Sequence, residues 1–332
     1  MHKFLLEKVG VSWEQQIIPV ATLADIDENV VKRFLEKAVT NKRISKHATD
    51  SDTFSLLKQL DLVNEKGEFL LAALLLFGKK PKRYAPSAYF KIGRFSYSQS
   101  DLRFQDIVEG NILDMADSVL EILDKKYLTR PISYEGLLRK EPLEYPEKAL
   151  REAILNSIIH KKYEGTTIFL SVYDDRLTIW NPGELPDDLT IEQLKNKHRS
   201  IPRNRLIADI FFMVGYIEAW GRGIEVMQEE CRDYGIPDPL IIEEQGGIEV
   251  TFLKDIFTEE NLRKYQLDDR HIKALLFTKE KGRITNSEYQ ELSNVSKRTV
   301  SNDLQLLIDK GLLNRMGTTG KGTYYILQRG NP

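Results

Sequence analysis

The stretch YPEKALREAILNSIIHKKY, residues 145–163, decides how this chain is read. Within it Glu152, Asn156 and His160 recur every four residues, so on a helix the three side chains project from roughly one face. Leu150, Ala153, Ile154, Leu155, Ile158 and Ile159 cover most of the remaining circumference. A helix apolar on nearly every side is a buried one. A buried carboxylate, amide and imidazole need hydrogen-bonding partners, which neighbouring protein groups or a ligand must supply.

Working outward toward the C-terminus, residues 166–173 (TTIFLSVY) and 176–180 (RLTIW) read as two strands joined by a tight turn at Asp174-Asp175. Asn181-Pro182-Gly183 ends the second strand. A polar loop over 186–205, a helix over 206–214, the glycine-bearing segment 215–224 (GYIEAWGRGI), a helix to 234 and a strand over 248–253 (IEVTFL) follow. This order predicts an α+β fold in which helices lie on one face of a mixed sheet. Hairpin-connected strands exclude a doubly wound dinucleotide-binding fold.

Toward the N-terminus, residues 25–41 read as an amphipathic helix with Val30, Val31, Phe34 and Leu35 inward, and residues 52–60 as a second helix. A short strand, a turn at Glu65-Lys66-Gly67 and a leucine-rich helix stopping at Gly78 complete a helical, winged-helix-like region with a structural role. A strand over 88–95 and one long helix over 103–127 come next. The proline-bounded connection 131–146 marks a boundary, giving expected domains of 1–130, 131–258 and 259–332.

The last domain carries three helical patterns, over 268–281, 285–292 and 296–310, the third capped by Ser296 with Val300, Leu304, Leu307 and Ile308 inward. Gly311 stops it, and strands over 312–316 and 323–327 flank a turn. This is the pattern of a winged helix-turn-helix, whose second motif helix enters the major groove of double-stranded DNA by its N-terminal end. Lys297, Arg298, Thr299, Ser301 and Asn302 are the residues so presented, able to meet phosphates and base edges. Arg315 and Lys321 on the wing are placed to touch the DNA backbone. Winged helices also serve as docking units, so a protein partner remains the alternative for this domain.

Four stretches taken in order resemble the ATPase-like domain of the RecG-related transcriptional regulators: REAILNSIIHKKY (151–163), LTIWNPGELP (177–186), IPRNRLIADIF (201–211) and GYIEAWGRGIEVM (215–227). The resembling segment spans about 144–254, and that domain is a divergent, Bergerat-type relative of the gyrase, histidine-kinase and MutL ATP-binding superfamily. Residues 13–127 look like the segment that in the family lies between a Schlafen-type domain and this one, and the Schlafen-type domain itself is expected to be absent from the given sequence.

The resemblance implies ATP and Mg²⁺ as cofactors. It makes Glu152 the group that orients or deprotonates the attacking water, and Asn156 the Mg²⁺ ligand, with His160 one turn further along. A carboxylate suits a general base and an amide oxygen suits Mg²⁺. Asn181 and Gly183 stand where the superfamily carries an Asp that reads the adenine amino group and a glycine. Gly221 and Gly223 let backbone N–H groups approach phosphates at a helix N-terminus, with Arg222 adding positive charge.

The balance of 48 Lys and Arg against 50 Asp and Glu confines any nucleic-acid surface to one part of the chain. From residue 259 onward there are 13 Lys and Arg against 9 Asp and Glu, so the tail is the basic part. A single cysteine, Cys231, rules out an intramolecular disulfide and a multi-thiolate metal site, in keeping with the cytoplasm. The longest apolar run, 69–77, falls far short of the roughly 20 residues a membrane span needs. Residues 1–11 begin abruptly, as in a piece of a longer arrangement. The segment GTTGKGT (317–323) lacks the hydroxyl residue directly after Lys321 and the spacing of a phosphate-binding loop, which speaks against helicase activity.

The expected function is therefore a DNA-binding transcriptional regulator, a homodimer, whose ATPase-like domain binds a nucleotide or another small ligand and biases the winged helix. Two alternatives stay open: an ATP-hydrolysing enzyme acting with DNA, and an interaction module with a degenerate pocket.

Overall fold

The computed structural model describes residues 12–45, 51–96, 98–130, 133–135, 138–186, 189–194, 201–218, 221–254, 257–263, 265–317 and 322–328. The chain folds as two units. One runs to Tyr234 and takes in Asp238–Phe252; the other comprises Gly235–Pro237 and the chain from Leu253 onward.

In the first unit, α1 (Glu28–Thr40) starts at Asp27, whose carboxylate accepts the Asn29 N–H at 2.9 Å. It buries Val30, Val31, Phe34, Leu35 and Ala38, the stripe its spacing predicts. Helix α2 (Thr53–Gln59) is capped by Asp52. Val63 and Phe69 then bridge antiparallel around a turn that needs Gly67 at φ +82°, and the apolar run becomes α3 (Leu71–Phe77), every residue of which is buried.

A six-stranded, mostly antiparallel sheet forms the body of the unit. Its strands are β1 (Tyr89–Phe95), β2 (Leu102–Glu109), β3 (Ile168–Val172), β4 (Arg176–Pro182), β5 (Leu240–Glu244) and β6 (Gly247–Leu253), in the order β2-β1-β3-β4-β6-β5. β1 runs antiparallel to β2 and parallel to β3. β3 with β4 and β5 with β6 form antiparallel hairpins. Helices α4 (Ile112–Ile122) and α5 (Glu147–Ile159) pack on one face, burying Phe90, Ile92, Val108, Ile168, Leu170, Leu177 and Ile179. Helices α6 (Arg205–Met213) and α7 (Gly223–Tyr234) pack against α5.

The expected boundary at residue 131 lies inside this unit, because the parallel pairing of β1 with β3 carries the sheet across it. The expected single helix over 103–127 is corrected as well. Its first part is β2, its second is α4, and the last turn is a π-helix over Leu123–Tyr127. Gly110 at φ +137° breaks the chain between them, and Asn111 caps α4 by accepting the Asp114 N–H at 2.9 Å. Among the described residues no helix is long and apolar enough to cross a membrane.

The second unit holds α8 (Asp269–Lys281), α9 (Asn286–Ser293) and α10 (Lys297–Asp309), followed by the antiparallel hairpin β7 (Leu313–Met316) and β8 (Tyr324–Leu327). Ile284, between α8 and α9, bridges Tyr325 of the hairpin. Its core gathers Ile272, Leu275, Tyr289, Val300, Leu304, Leu307, Leu312 and Leu327.

Candidate functional site

Glu152 and Asn156 lie one turn apart on α5, and Asn156 Nδ2 donates to Glu152 Oε1 at 3.1 Å. Burial pushes the Glu152 carboxyl up; the Asn156 hydrogen bond and the Arg151 charge oppose that rise, and Glu218 adds to it. The carboxylate is thus held against its desolvation by one amide donor, with capacity to accept more.

Helix α7 begins directly over this pair. A Cβ built on Gly223 would stand 2.0 Å from Glu152 Oε1 and 3.2 Å from Asn156 Nδ2, so any side chain there would push the Glu152 carboxylate from its place. Gly221, at φ +68°, turns the chain into that helix. The first α7 donors bound within the helix begin with Val226 N–H to Arg222 O at 2.9 Å. The first-turn N–H groups ahead of it carry the positive end of the helix dipole. Arg222 does not face Glu152; it is exposed and pairs with Glu225 at 3.0 Å and Glu229 at 3.9 Å along its own helix. Trp220 lies outside the described residues.

His160, one turn beyond Asn156, is the C-cap of α5, with its N–H bonded to Asn156 O at 2.9 Å. The turn beyond it is clamped by Asn204, whose Nδ2 donates to Ile159 O at 2.7 Å and Lys161 O at 2.8 Å. Gly183, at φ +134°, fits against that turn: an added Cβ would lie 3.0 Å from His160 O and 3.2 Å from Arg203 Nε. Asn181, on the helix-facing side of β4, is 6% exposed, and its Nδ2 is buried with no hydrogen-bond partner among the described residues. A buried amide donor left open costs on the order of 1–3 kcal/mol unless something accepts from it.

Two fixing points were not legible in the sequence. Glu14, wholly buried, accepts the Leu206 and Ile207 N–H groups at 2.9 and 3.0 Å and so caps α6 from almost two hundred residues away. Burial raises its carboxyl, against those backbone bonds. Tyr216 donates to Asp117 at 2.5 Å and accepts from Lys37 at 2.8 Å, which ties the segment ahead of α7 to α4 and α1.

In the second unit Lys297, Arg298, Ser301 and Asn302 are exposed on the N-terminal half of α10, Thr299 is half-buried, and Arg315 is exposed on β7. Ser296 caps the helix, accepting Thr299 N–H at 3.2 Å. Lys321 lies outside the described residues. Beneath α10, Asp303 is buried and receives Arg270 Nε at 2.8 Å and Tyr289 OH at 3.2 Å, with His271 Nε2 at 3.1 Å. Burial works against ionisation there, but the Arg270 and His271 contacts outweigh it and hold the Asp303 carboxyl below its usual range.

This sheet-and-helix unit sets the Glu152–Asn156 pair under a glycine-started helix. Residues 165–252 match the family described as "Putative ATP-dependent DNA helicase recG C-terminal". That stretch contains Asn181, Gly183, Gly221, Arg222 and Gly223, while Glu152, Asn156 and His160 precede it. No curated protein matches the chain. Among solved structures, the crystal structure of the DIP2311 protein from Corynebacterium diphtheriae is similar, with a TM-score of 0.59, 20% identity and 98% of this chain covered. The chain spans 66% of that protein's length, and the likeness is one of fold.

Proposed function

We propose that the chain is a DNA-binding transcriptional regulator whose ATPase-like unit binds a nucleotide, ATP with Mg²⁺, and biases a C-terminal winged helix. The observation that carries the nucleotide half is the buried carboxamide of Asn181, whose Nδ2 has no hydrogen-bond partner among the described residues and which lies on the sheet face against which the helix bearing the Glu152–Asn156 pair packs. An asparagine carboxamide can pair with the donor–acceptor edge of a purine. No group of three or more His, Cys, Asp or Glu gathers as a metal site among the described residues, so Mg²⁺ would be held by Asn156 together with the phosphates. When bound, the ion would supply charge neutralisation of the phosphates; Glu152 would orient a water or take its proton, and Gly223 would let the α7 N-terminus approach. Asn156 as the donor to Glu152 would have to turn its oxygen to the metal.

The DNA half rests on the exposed Lys297, Arg298, Ser301 and Asn302 at the start of α10 and on the hairpin carrying Arg315, which together read as a winged helix. Calorimetry of the full chain with ATP, ADP and Mg²⁺ tests the first half, and absence of binding would make the regulator ligand-independent. If the unit also hydrolyses ATP, Glu152→Ala abolishes phosphate release while sparing binding. The DNA reading fails if Lys297→Ala with Arg298→Ala leaves duplex affinity and its salt dependence unchanged.

A further inference from the structure

One row of opposed residues crosses the whole sheet on the face away from α4 and α5. Ile107 on β2, Lys91 on β1, Phe169 on β3 and Trp180 on β4 are successive register partners. The Gly183 N–H bonds Gly246 O at 3.1 Å; counted back along antiparallel strands, this sets Glu249 of β6 beside Trp180. Glu249 in turn pairs with Ile242 on β5. Ile107, Phe169 and Ile242 are 55%, 37% and 45% exposed, and the Phe169 and Trp180 rings lie 6.0 Å apart.

From one edge of the sheet to the other, the row is apolar, cationic, aromatic, aromatic, anionic, apolar. Such a sequence is its own complement. A two-fold axis parallel to the strands, passing between β3 and β4, lays Lys91 of one copy over Glu249 of the other, twice. It also lays Phe169 over Trp180 and Ile107 over Ile242. We propose that this row is the contact between two copies of the chain, packed sheet to sheet as an isologous dimer.

The charges favour this occupant over a nucleic-acid strand. The aromatic pair suits base stacking, but Glu249 beside Trp180 repels phosphate where a single-strand platform needs a cation. Burial raises the Glu249 carboxyl and Glu244 adds to the rise, while the Thr251 hydroxyl, donating at 3.1 Å, and the Arg176 charge oppose it, so a lysine brought over it from a second copy meets a partly desolvated carboxylate. Six strands about 4.8 Å apart span roughly 24 Å. A contact two or three rows deep buries about 500 Å² per copy, below the ~800 Å² of a standard interface. The dimer is therefore expected to dissociate in the micromolar range, independently of nucleotide or DNA.

Sedimentation equilibrium of the full chain over a concentration series, with two charge reversals, tests this. Wild type is expected to pass from monomer to dimer. Lys91→Glu and Glu249→Lys each place like charges over one another twice, and each is expected to be monomeric. Mixed together, the two variants restore both opposite-charge contacts and form a heterodimer, which also proves that each is folded. The proposal is overturned if wild type stays monomeric at every concentration, whatever other partner the row then takes. Dimerisation unchanged in either single variant, or a mixture that stays monomeric, overturns it equally. None of these outcomes depends on whether the chain binds ATP.

Discussion

Replacing Lys161 by methionine should destabilise the protein more at pH 9 than at pH 7. Lys161 follows His160 in the turn after α5 and is 1% exposed. Its ammonium is held by Thr166 O, with Lys162 O and Ser87 Oγ each at 3.4 Å, and lies 5.2 Å from the Tyr163 ring centroid. Burial lowers its pKa from 10.5 to about 7, and the only charge acting the other way is that of Glu164. Between these values the unfolded chain binds a proton that the folded chain does not, so stability rises with pH across the window from about 7 to 10.5. One pKa unit corresponds to about 1.4 kcal/mol, and between pH 7 and 9 the linkage gives a gain of about 2 kcal/mol. Lys161→Met abolishes that gain and strands the Thr166 and Lys162 carbonyls, at a cost of about 1–3 kcal/mol each. Relative to wild type, the variant should therefore lose about 2 kcal/mol from pH 7 to pH 9, whatever its offset at pH 7. Urea denaturation of both proteins at half-unit steps measures this. A difference between the two that is flat across the window would refute a charge-disfavouring environment at Lys161.

Gly223→Ala should displace the Glu152 carboxylate, which a Cβ would approach to 2.0 Å, and erase any nucleotide response in calorimetry while thermal stability falls by only about 1 kcal/mol, since a flexible side-chain end can swing aside. Gly183→Ala has no such escape: a φ of +134° and the backbone oxygen of His160 at 3.0 Å should cost about 1–3 kcal/mol in a denaturation midpoint. Asp303→Asn should destabilise the second unit by about 1–3 kcal/mol, because the buried carboxylate loses its charge-assisted bond from Arg270, which is 39% exposed and keeps Asp268 at 2.9 Å. The Asp303 carboxyl is depressed, so wild type keeps that stabilisation above the ordinary carboxylate range and loses it as pH falls through the folded value; the variant should lack this acid limb in a pH series of circular-dichroism melts. Glu14→Ala should cost about 1–3 kcal/mol by leaving the Leu206 and Ile207 N–H groups buried and unpaired, read as faster amide exchange at the start of α6.

Local chemistry made much of this legible. The four-residue spacing of Glu152 and Asn156 becomes a hydrogen bond on α5, and the tight turn at Asp174-Asp175 becomes the β3–β4 hairpin. Ser296 caps α10 as the sequence indicates, while the helices read over 25–41 and 52–60 start at caps Asp27 and Asp52. β2 was misread because LRFQDIVE has apolar residues compatible with either period, and its pairing with β1 overrides the local pattern. β5, LIIEE, is too short to declare itself without the β6 partner. The Glu14 cap and the Tyr216–Asp117 bond depend on sequence separations that no periodicity encodes.

Those long-range contacts also explain why the stretch 165–252 does not contain its own site. Its glycine-started helix needs the Glu152–Asn156 pair, which precedes it, as a floor. The segment leading into that helix is anchored at Tyr216 by Lys37 and Asp117, and Asn41 Nδ2 donates to Val214 O at 2.7 Å just before it. Its helix α6 is capped by Glu14, and its strand β3 has β1 as a parallel neighbour. Each element that positions Gly223 is therefore fixed by a residue from the first 156 of the chain. A substitution at Lys37, Asn41 or Asp117 is expected to shift the segment that leads into α7 without touching Glu152 or Asn156. The N-terminal helices, read from sequence as a separate structural region, are part of the site's framework.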